Sequence, residues 1–258
     1  MDSKVVVITG ASSGIGATLA GQLGKDKYSL VLAARREKEL KQVAEGTGTQ
    51  AIAVKCDVTR RKDIEGLKEV ALKHFGHIDV WINNAGRGIN RKVLDLSDKD
   101  FDEIVNVNLR SALYGMQVIT PYFQLQGKGH IINISSFLGR VPFVTFRSIY
   151  SASKAALNML TANLRLDLMS GYPDIHVSLV MPGGVATDFS KNALGGQPQA
   201  ISSGGFMKWQ SPEEAAAAIF DLIKNPRPEI YTNPALAEIA VRYYQDVAAF
   251  EERIRQSK

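Results

Sequence analysis

The apolar positions of the chain fall into two alternating patterns. The runs KVVVIT, SLVLAA, AIAVKC, DVWINN, HIINIS and HVSLVM are short, rich in β-branched residues and apolar at nearly every position, which predicts strands buried on both faces; EIYTN is a weaker seventh. Between them apolar residues recur every three or four positions near 15–24, 37–45, 60–74, 98–123, 150–169 and 211–224, which predicts helices. Ser211, Pro212 and Glu214 in SPEE mark the start of the last of these as a capping box. Strand and helix alternate without a repeat, low-complexity tract or linker, so one α/β domain is expected, a doubly wound parallel sheet with helices on both faces.

A further stripe, Leu236, Ile239, Tyr243, Val247, Phe250 and Ile254, predicts one amphipathic helix over 235–258. Acidic and basic side chains balance along it, so attraction to an anionic membrane surface is not its purpose. Its apolar face either packs on its own subunit or meets another; the second reading is adopted here.

Composition narrows the picture. A chain of 258 residues that is 45% hydrophobic can bury one substantial core. Its net charge of +5 comes from 31 Lys/Arg and 26 Asp/Glu that are interleaved, which describes a solvated surface and argues against a nucleic-acid partner. The single cysteine, Cys56, excludes an internal disulfide, and neither a signal-type stretch nor a membrane-span run is present. A cytoplasmic protein is expected. His74 and His77 have no third ligand at a metal-site spacing, so no metal is expected.

Doubly wound sheets bind ligands beyond the carboxyl ends of their strands. After the first strand comes TGASSGIG, whose Gly10, Gly14 and Gly16 either form a tight strand-to-helix turn or let the backbone approach a pyrophosphate at a helix N-terminus. After the second, Ala34 stands where an acidic residue would hold unmodified ribose hydroxyls, and Arg35 and Arg36 offer planar forks suited to a 2′-phosphate. Asp57, after the third, would accept from an adenine amino group or cap the next helix. Tyr150 and Lys154 in IYSASKAAL lie one helical turn apart, where the two side chains can meet one ligand. A nearby ammonium lowers the pKa of a phenol and fits it for proton transfer near neutral pH.

TGASSGIG, NNAG, YSASK and PGGVAT occur in this order, each at a strand end or helix start, and on these motifs residues 4–233 resemble the short-chain dehydrogenases/reductases. The resemblance implies a single Rossmann-type domain with a seven-stranded parallel sheet ordered 3-2-1-4-5-6-7 and a nicotinamide cofactor, NADP(H) given the two arginines. It implies a catalytic set of Asn108, Ser136, Tyr150 and Lys154. The stretch between serine and tyrosine is one residue longer than the family spacing, so Ser135 is the alternative to Ser136. Lys154 would also hold the nicotinamide-ribose hydroxyls, and Asn108 would order water behind it. Cofactor contacts would further involve Gly10, Ser12, Ser13, Gly14, Ile15, Gly16, Asp57, Val58, Asn84, Ala85, Gly86, Pro182, Gly183, Val185 and Thr187, with Asn83 bracing the sheet.

The glycine-punctuated stretch 188–209 reads as a lid with an apolar underside, and VPFVTF as a second apolar set. With Leu138, Phe143, Met181, Phe189 and Phe206 they suggest a small hydrophobic carbonyl or alcohol substrate. Arg87, Arg140 and Arg147 are either surface charge or receptors for an anionic group, and the latter reading gives a 3-oxoacyl-[acyl-carrier] reductase as the alternative enzyme. A non-catalytic cofactor sensor is the other class; such proteins have usually lost the tyrosine and lysine. The family's habit implies a homodimer or homotetramer.

Overall fold

The structure, a computed structural model, describes residues 3–196 and 209–256. In chain order it runs β1 (Val5–Thr9), α1 (Gly14–Lys25), β2 (Ser29–Ala34), α2 (Glu37–Gly46), β3 (Ala51–Lys55), α3 (Arg61–Phe75), β4 (Val80–Asn83), α4 (Asp98–Val105), α5 (Ser111–Gln126), β5 (Gly129–Ile134), α6 (Ser148–Met169), β6 (Ile175–Met181), α7 (Pro212–Lys224) and β7 (Glu229–Tyr231), and closes with α8 (Ala235–Gln245) and α9 (Val247–Gln256). The strands form one parallel sheet in the order β3-β2-β1-β4-β5-β6-β7.

Strand side chains alternate between faces, and here each face has its own core. Val5 and Val7 of β1, with Val31, Trp81, Ile131 and Val177, meet Leu67 of α3, Met116 of α5 and Leu157 of α6. Val6 and Ile8, with Leu30, Leu32, Ile82 and Val180, meet Leu19 of α1, Leu40 of α2 and Ile219 of α7. Double-sided burial is why the strands read as unbroken apolar runs. The chain winds outward from β1 to β3, then returns to place β4 on the other side of β1. The crevice that follows, beyond the ends of β1 and β4, is where a ligand would sit.

The capping box of α7 forms as the sequence predicts: Ser211 Oγ accepts from Glu214 N at 3.1 Å and Glu214 Oε2 from Ser211 N at 2.8 Å. The predicted helix over 98–123 is interrupted, because Asn106–Arg110 winds as a wider π turn between α4 and α5. The predicted helix over 235–258 is also corrected. Asp246 takes an extended conformation and its carboxylate accepts from Ala249 N at 2.9 Å, so one helix ends and a second begins. The pair covers itself differently from the expected interface. Leu236, Ala240 and Phe250 are buried against Phe137 and Val141, with Phe143, Tyr231, Ile239, Tyr243 and Ile254 alongside, while Val247 stands exposed. The apolar stripe thus lies on its own subunit.

His130 of β5 is buried beside His176 and bonds Ser178 Oγ at 2.8 Å. Burial, with the charges of His176 and Lys4, pushes its pKa from 6.5 down to about 3. A proton is taken up by the unfolded chain below pH 6.5 but by the folded one only near 3, so this contribution to stability is complete above 6.5 and declines as pH falls toward 3. Denaturant titrations at pH 7 and 5 should show a loss approaching about 1.4 kcal/mol per pH unit from this group. A His130→Gln variant with the same pH dependence as the parent would contradict that assignment.

Candidate active site

The turn after β1 is shaped by what glycine lacks. Gly10 and Gly14 hold φ of +67° and +58°, and a Cβ on Gly10 would stand 2.7 Å from Ala85 Cα. On Gly16 it would stand 2.8 Å from Gly10 O. Thr9 Oγ1 accepts from Asn84 N and Ala85 N and donates to Ile82 O, while Asn84 Nδ2 donates to Thr9 O and Gly10 O at 2.8 and 3.1 Å. These bonds tie the glycine turn to the loop after β4. Behind them Asn83 accepts from Trp81 Nε1 and donates to Asn133, which donates to Thr161, so Asn83 braces the sheet.

A cavity of about 440 Å³ opens over this turn. Gly10, Ser12, Ser13, Gly14 and Ile15 line it from one side, Ala34, Arg35, Arg36, Asp57, Val58 and Thr59 from the next strand ends, and Asn84, Ala85, Gly86 and Gly88 from the loop after β4. Ser136, Tyr150, Lys154, Pro182, Gly183, Val185, Thr187, Phe189 and Asn192 complete it, whereas Gly16 packs behind the turn. Thr59, Gly88 and Asn192 come from coil, where no periodicity announces them.

The cavity suits a dinucleotide. Ser13 begins α1 without capping it through its side chain, and no acidic residue stands in the first turn, so the free amide ends face an anion without competition. Arg36 donates to Ser12 Oγ and Ser13 Oγ at 3.1 and 2.6 Å. Glu37 turns away to Lys41 at 2.9 Å. Asp57 Oδ1 accepts from Thr59 N and Thr59 Oγ1, an Asx turn that leads into α3 while keeping Asp57 on the cavity wall.

At the other end of the chemistry, Ser135 and Ser136 separate cleanly. Ser135 Oγ donates to Asn158 Oδ1 at 2.5 Å and lies within 3.2 Å of Lys154 O, so it is tied into α6. Ser136 Oγ accepts from Leu138 N at 3.1 Å, and its own proton reaches the Tyr150 phenol. Burial raises the phenol pKa above its usual 10, opposed by the Ser136 hydrogen bond and then by the Arg147 guanidinium. Lys154 is no part of that balance. Its ammonium stands 5.9 Å from the phenol ring centroid, donates to Ile134 O at 2.8 Å, and is pushed down to about 8 by burial. Burial of both groups thus opposes the lowering of the phenol pKa expected from Lys154 and a positively charged nicotinamide ring together. Asn108, on the π turn, accepts from Arg87 N at 2.7 Å and donates to Arg87 O and Ser153 Oγ. Its Oδ1 and Lys154 Nζ flank Gly86, each within 3.6 Å of where a Cβ would lie.

The sequence profile of short chain dehydrogenases matches residues 4–197. The chain belongs to this family. An uncharacterized oxidoreductase of Staphylococcus epidermidis is 34% identical over 200 residues, covering 78% of this chain and 86% of the relative. The fold of a short chain dehydrogenase/reductase from Burkholderia phymatum, solved in complex with NAD, matches with a TM-score of 0.86 at 28% identity, over 95% of this chain and 94% of the other. An alcohol dehydrogenase from Thermococcus sibiricus, solved with 5-hydroxy-NADP, matches with a TM-score of 0.76 at 27% identity, over 89% and 95%. Structural neighbours of this dehydrogenase thus carry either form of the dinucleotide.

On the substrate side, the structure of this short chain dehydrogenase brings some of the expected residues beside Tyr150 and others away from it. Phe189 stacks edge-on to Tyr150 with ring centroids 5.6 Å apart, and Leu138 packs in the same cluster with Ile89, Ile149 and Tyr150. Met181 does not reach the cavity; it is fully buried in β6, paired with Tyr231. Phe143 turns the other way and packs on Phe137 beneath α8 and α9, because Val141 and Phe143 complete the core those helices need. Phe206 and most of the expected lid, 197–208, lie outside the described residues. Among the described residues no three His, Cys, Asp or Glu side chains gather as a metal site, and no helix is long and apolar enough to cross a membrane.

Cys56 is buried at the cavity wall, and burial beside Asp63 and Asp57 pushes its thiol up to about 12. At pH 8 an aromatic disulfide reagent should modify the native protein on the order of 10²-fold or more slower than the unfolded chain, because the thiolate is the nucleophile. Equal rates would contradict the burial.

Proposed function

We propose that the protein is an NADP(H)-dependent oxidoreductase acting between a carbonyl and the corresponding secondary alcohol of a small hydrophobic molecule, with Tyr150 as acid/base. The observation that carries this reading is that Tyr150, Ser136 and Lys154 share one cavity with the glycine turn and Arg36. When bound, the nicotinamide supplies or accepts the hydride. Tyr150 gives its phenolic proton to the carbonyl oxygen during reduction and takes one back during oxidation. Ser136, whose acceptor side is engaged by Leu138 N, donates to the same oxygen as negative charge develops there. Lys154, at the bottom of the cavity, would hold the ribose hydroxyls and resupply the proton through water ordered beside Asn108. Phe189 supplies apolar contact next to the phenol.

Ala34, Arg35 and Arg36 support the phosphorylated cofactor, since β2 ends on an alanine and Glu37, which follows the two arginines, is paired with Lys41. A second reading, 3-oxoacyl-[acyl-carrier] reductase, draws on a Brucella melitensis 3-ketoacyl-(acyl-carrier-protein) reductase that matches with a TM-score of 0.81 at 25% identity. Two of the arginines it would need are already paired, Arg87 with Glu103 and Arg140 with Glu229. A homodimer or homotetramer is proposed through the α5 and α6 face, where Met159, Leu166 and Leu125 are exposed beside an apolar groove. The test of function is a panel of ketones, aldehydes and acyl thioesters scored by NADPH oxidation. Turnover of simple hydrophobic ketones supports the first reading, turnover confined to acyl thioesters supports the second, and none with either contradicts both.

A further inference from the structure

Arg147 precedes α6 by one residue and is 4% exposed. Its guanidinium donates to Ser190 Oγ at 3.1 Å and more distantly to Ile89 O at 3.5 Å, and lies between the rings of Phe146 and Phe189, 5.8 and 5.9 Å from their centroids. A Cβ on Gly88 would overlap it. Among the described residues no carboxylate reaches it, and residues 197–208 contain no acidic side chain. Buried cations are ordinarily paired with an anion. This one stands instead at the N-terminal end of a helix, the end that disfavours a cation, and the first turn of that helix has no acidic residue. The group three positions on, in that first turn, is Tyr150, whose ring packs on the same Phe189.

We propose that Arg147 is a positioning residue whose fixed charge is the standing partner of the Tyr150 phenolate. The inference rests on the acid/base role given to Tyr150 above. Other charges around the phenol are committed or displaced: Arg87 pairs with Glu103 of α4, Arg91 faces Asp100, Asp188 pairs with Lys191, and Lys154 is bonded to Ile134 O. From the turn after β5 the uncharged Ser136 hydroxyl faces it. The direction agrees with the effect of Arg147 on the phenol, which is to lower its pKa against burial. Arginine suits the role because it keeps its charge where Lys154 does not fully do so.

The test is the pH dependence of kcat/KM in the parent, Arg147→Gln and Arg147→Lys, with Tyr150→Phe as control. Glutamine keeps a donor for Ser190 and removes the charge; Arg147→Met, an uncharged apolar side chain that can pack on the same two rings, serves as a second neutral variant should glutamine not fold. The limb that reports Tyr150 is expected to move to higher pH by about one unit or more in either neutral variant and by a smaller amount in Arg147→Lys, whose buried ammonium keeps its charge only in part. A neutral variant whose activity falls equally at every pH, with the limb unmoved, would overturn the inference and leave Arg147 as a latch for Ser190. If Tyr150→Phe retains both the activity and the limb, the reading of Tyr150 itself fails, which is a separate outcome.

Discussion

Tyr150→Phe is expected to depress turnover by about 10² or more while leaving NADPH affinity nearly unchanged. The substitution removes one oxygen from a buried ring that keeps its contact with Phe189, so the local packing survives. What is lost is the only phenol in the cavity, hydrogen-bonded by Ser136 and lying near Arg147. Ser136→Ala should cost less, because it removes a donor and leaves the proton carrier. Steady-state kinetics with a fluorescence titration of NADPH check both parts. Turnover within a few-fold of the parent would point to a different proton donor or to a cofactor-sensing protein.

Much of the fold was legible because parallel strands buried on both faces leave a signal that local pattern captures. KVVVIT and HIINIS read as strands since both alternating sets, such as Val5 with Val7 and Val6 with Ile8, find a core. The π turn at 106–110 was not legible, because NVNLR continues the helical pattern on either side of it. The break at Asp246 was hidden for a related reason: the apolar spacing runs through it, and only the capping by its carboxylate divides α8 from α9. Met181 and Phe143 show the limit of proximity in sequence. Both stand near site residues along the chain, yet one is enclosed by the sheet and the other by the C-terminal helices. Arg147 reads equally as surface charge or as a receptor for an anionic group, because nothing local says that its guanidinium is buried beside Phe146 and Phe189.

Replacing Arg36 by Ala should erode the preference for NADPH over NADH by about 1.5–3 kcal/mol, roughly 10- to 100-fold in the affinity ratio, the scale of hydrogen bonds to a charged group. Arg36 is singled out because it already bonds Ser12 and Ser13, which places its fork at the glycine turn on the cavity wall. Arg35, which lines the same cavity without such bonds, should show the same direction with a smaller effect. The reverse substitution, Ala34→Asp, should favour NADH by restoring an acceptor for ribose hydroxyls and repelling a 2′-phosphate. Equal catalytic efficiency of the parent with both cofactors would defeat the assignment.

The central claim is that this cavity carries a hydride between a nicotinamide and a carbonyl carbon with Tyr150 moving the proton. The most direct measurement uses NADPH deuterated at C4 in each of its two stereochemical forms, with a ketone that the panel shows to be turned over, and reads the product by mass spectrometry. The predicted result is one deuterium on the carbinol carbon from one stereoisomer only, in the parent protein, and loss of labelled product in Tyr150→Phe. Product formed without deuterium from either isomer, or labelled equally well by Tyr150→Phe, would contradict it.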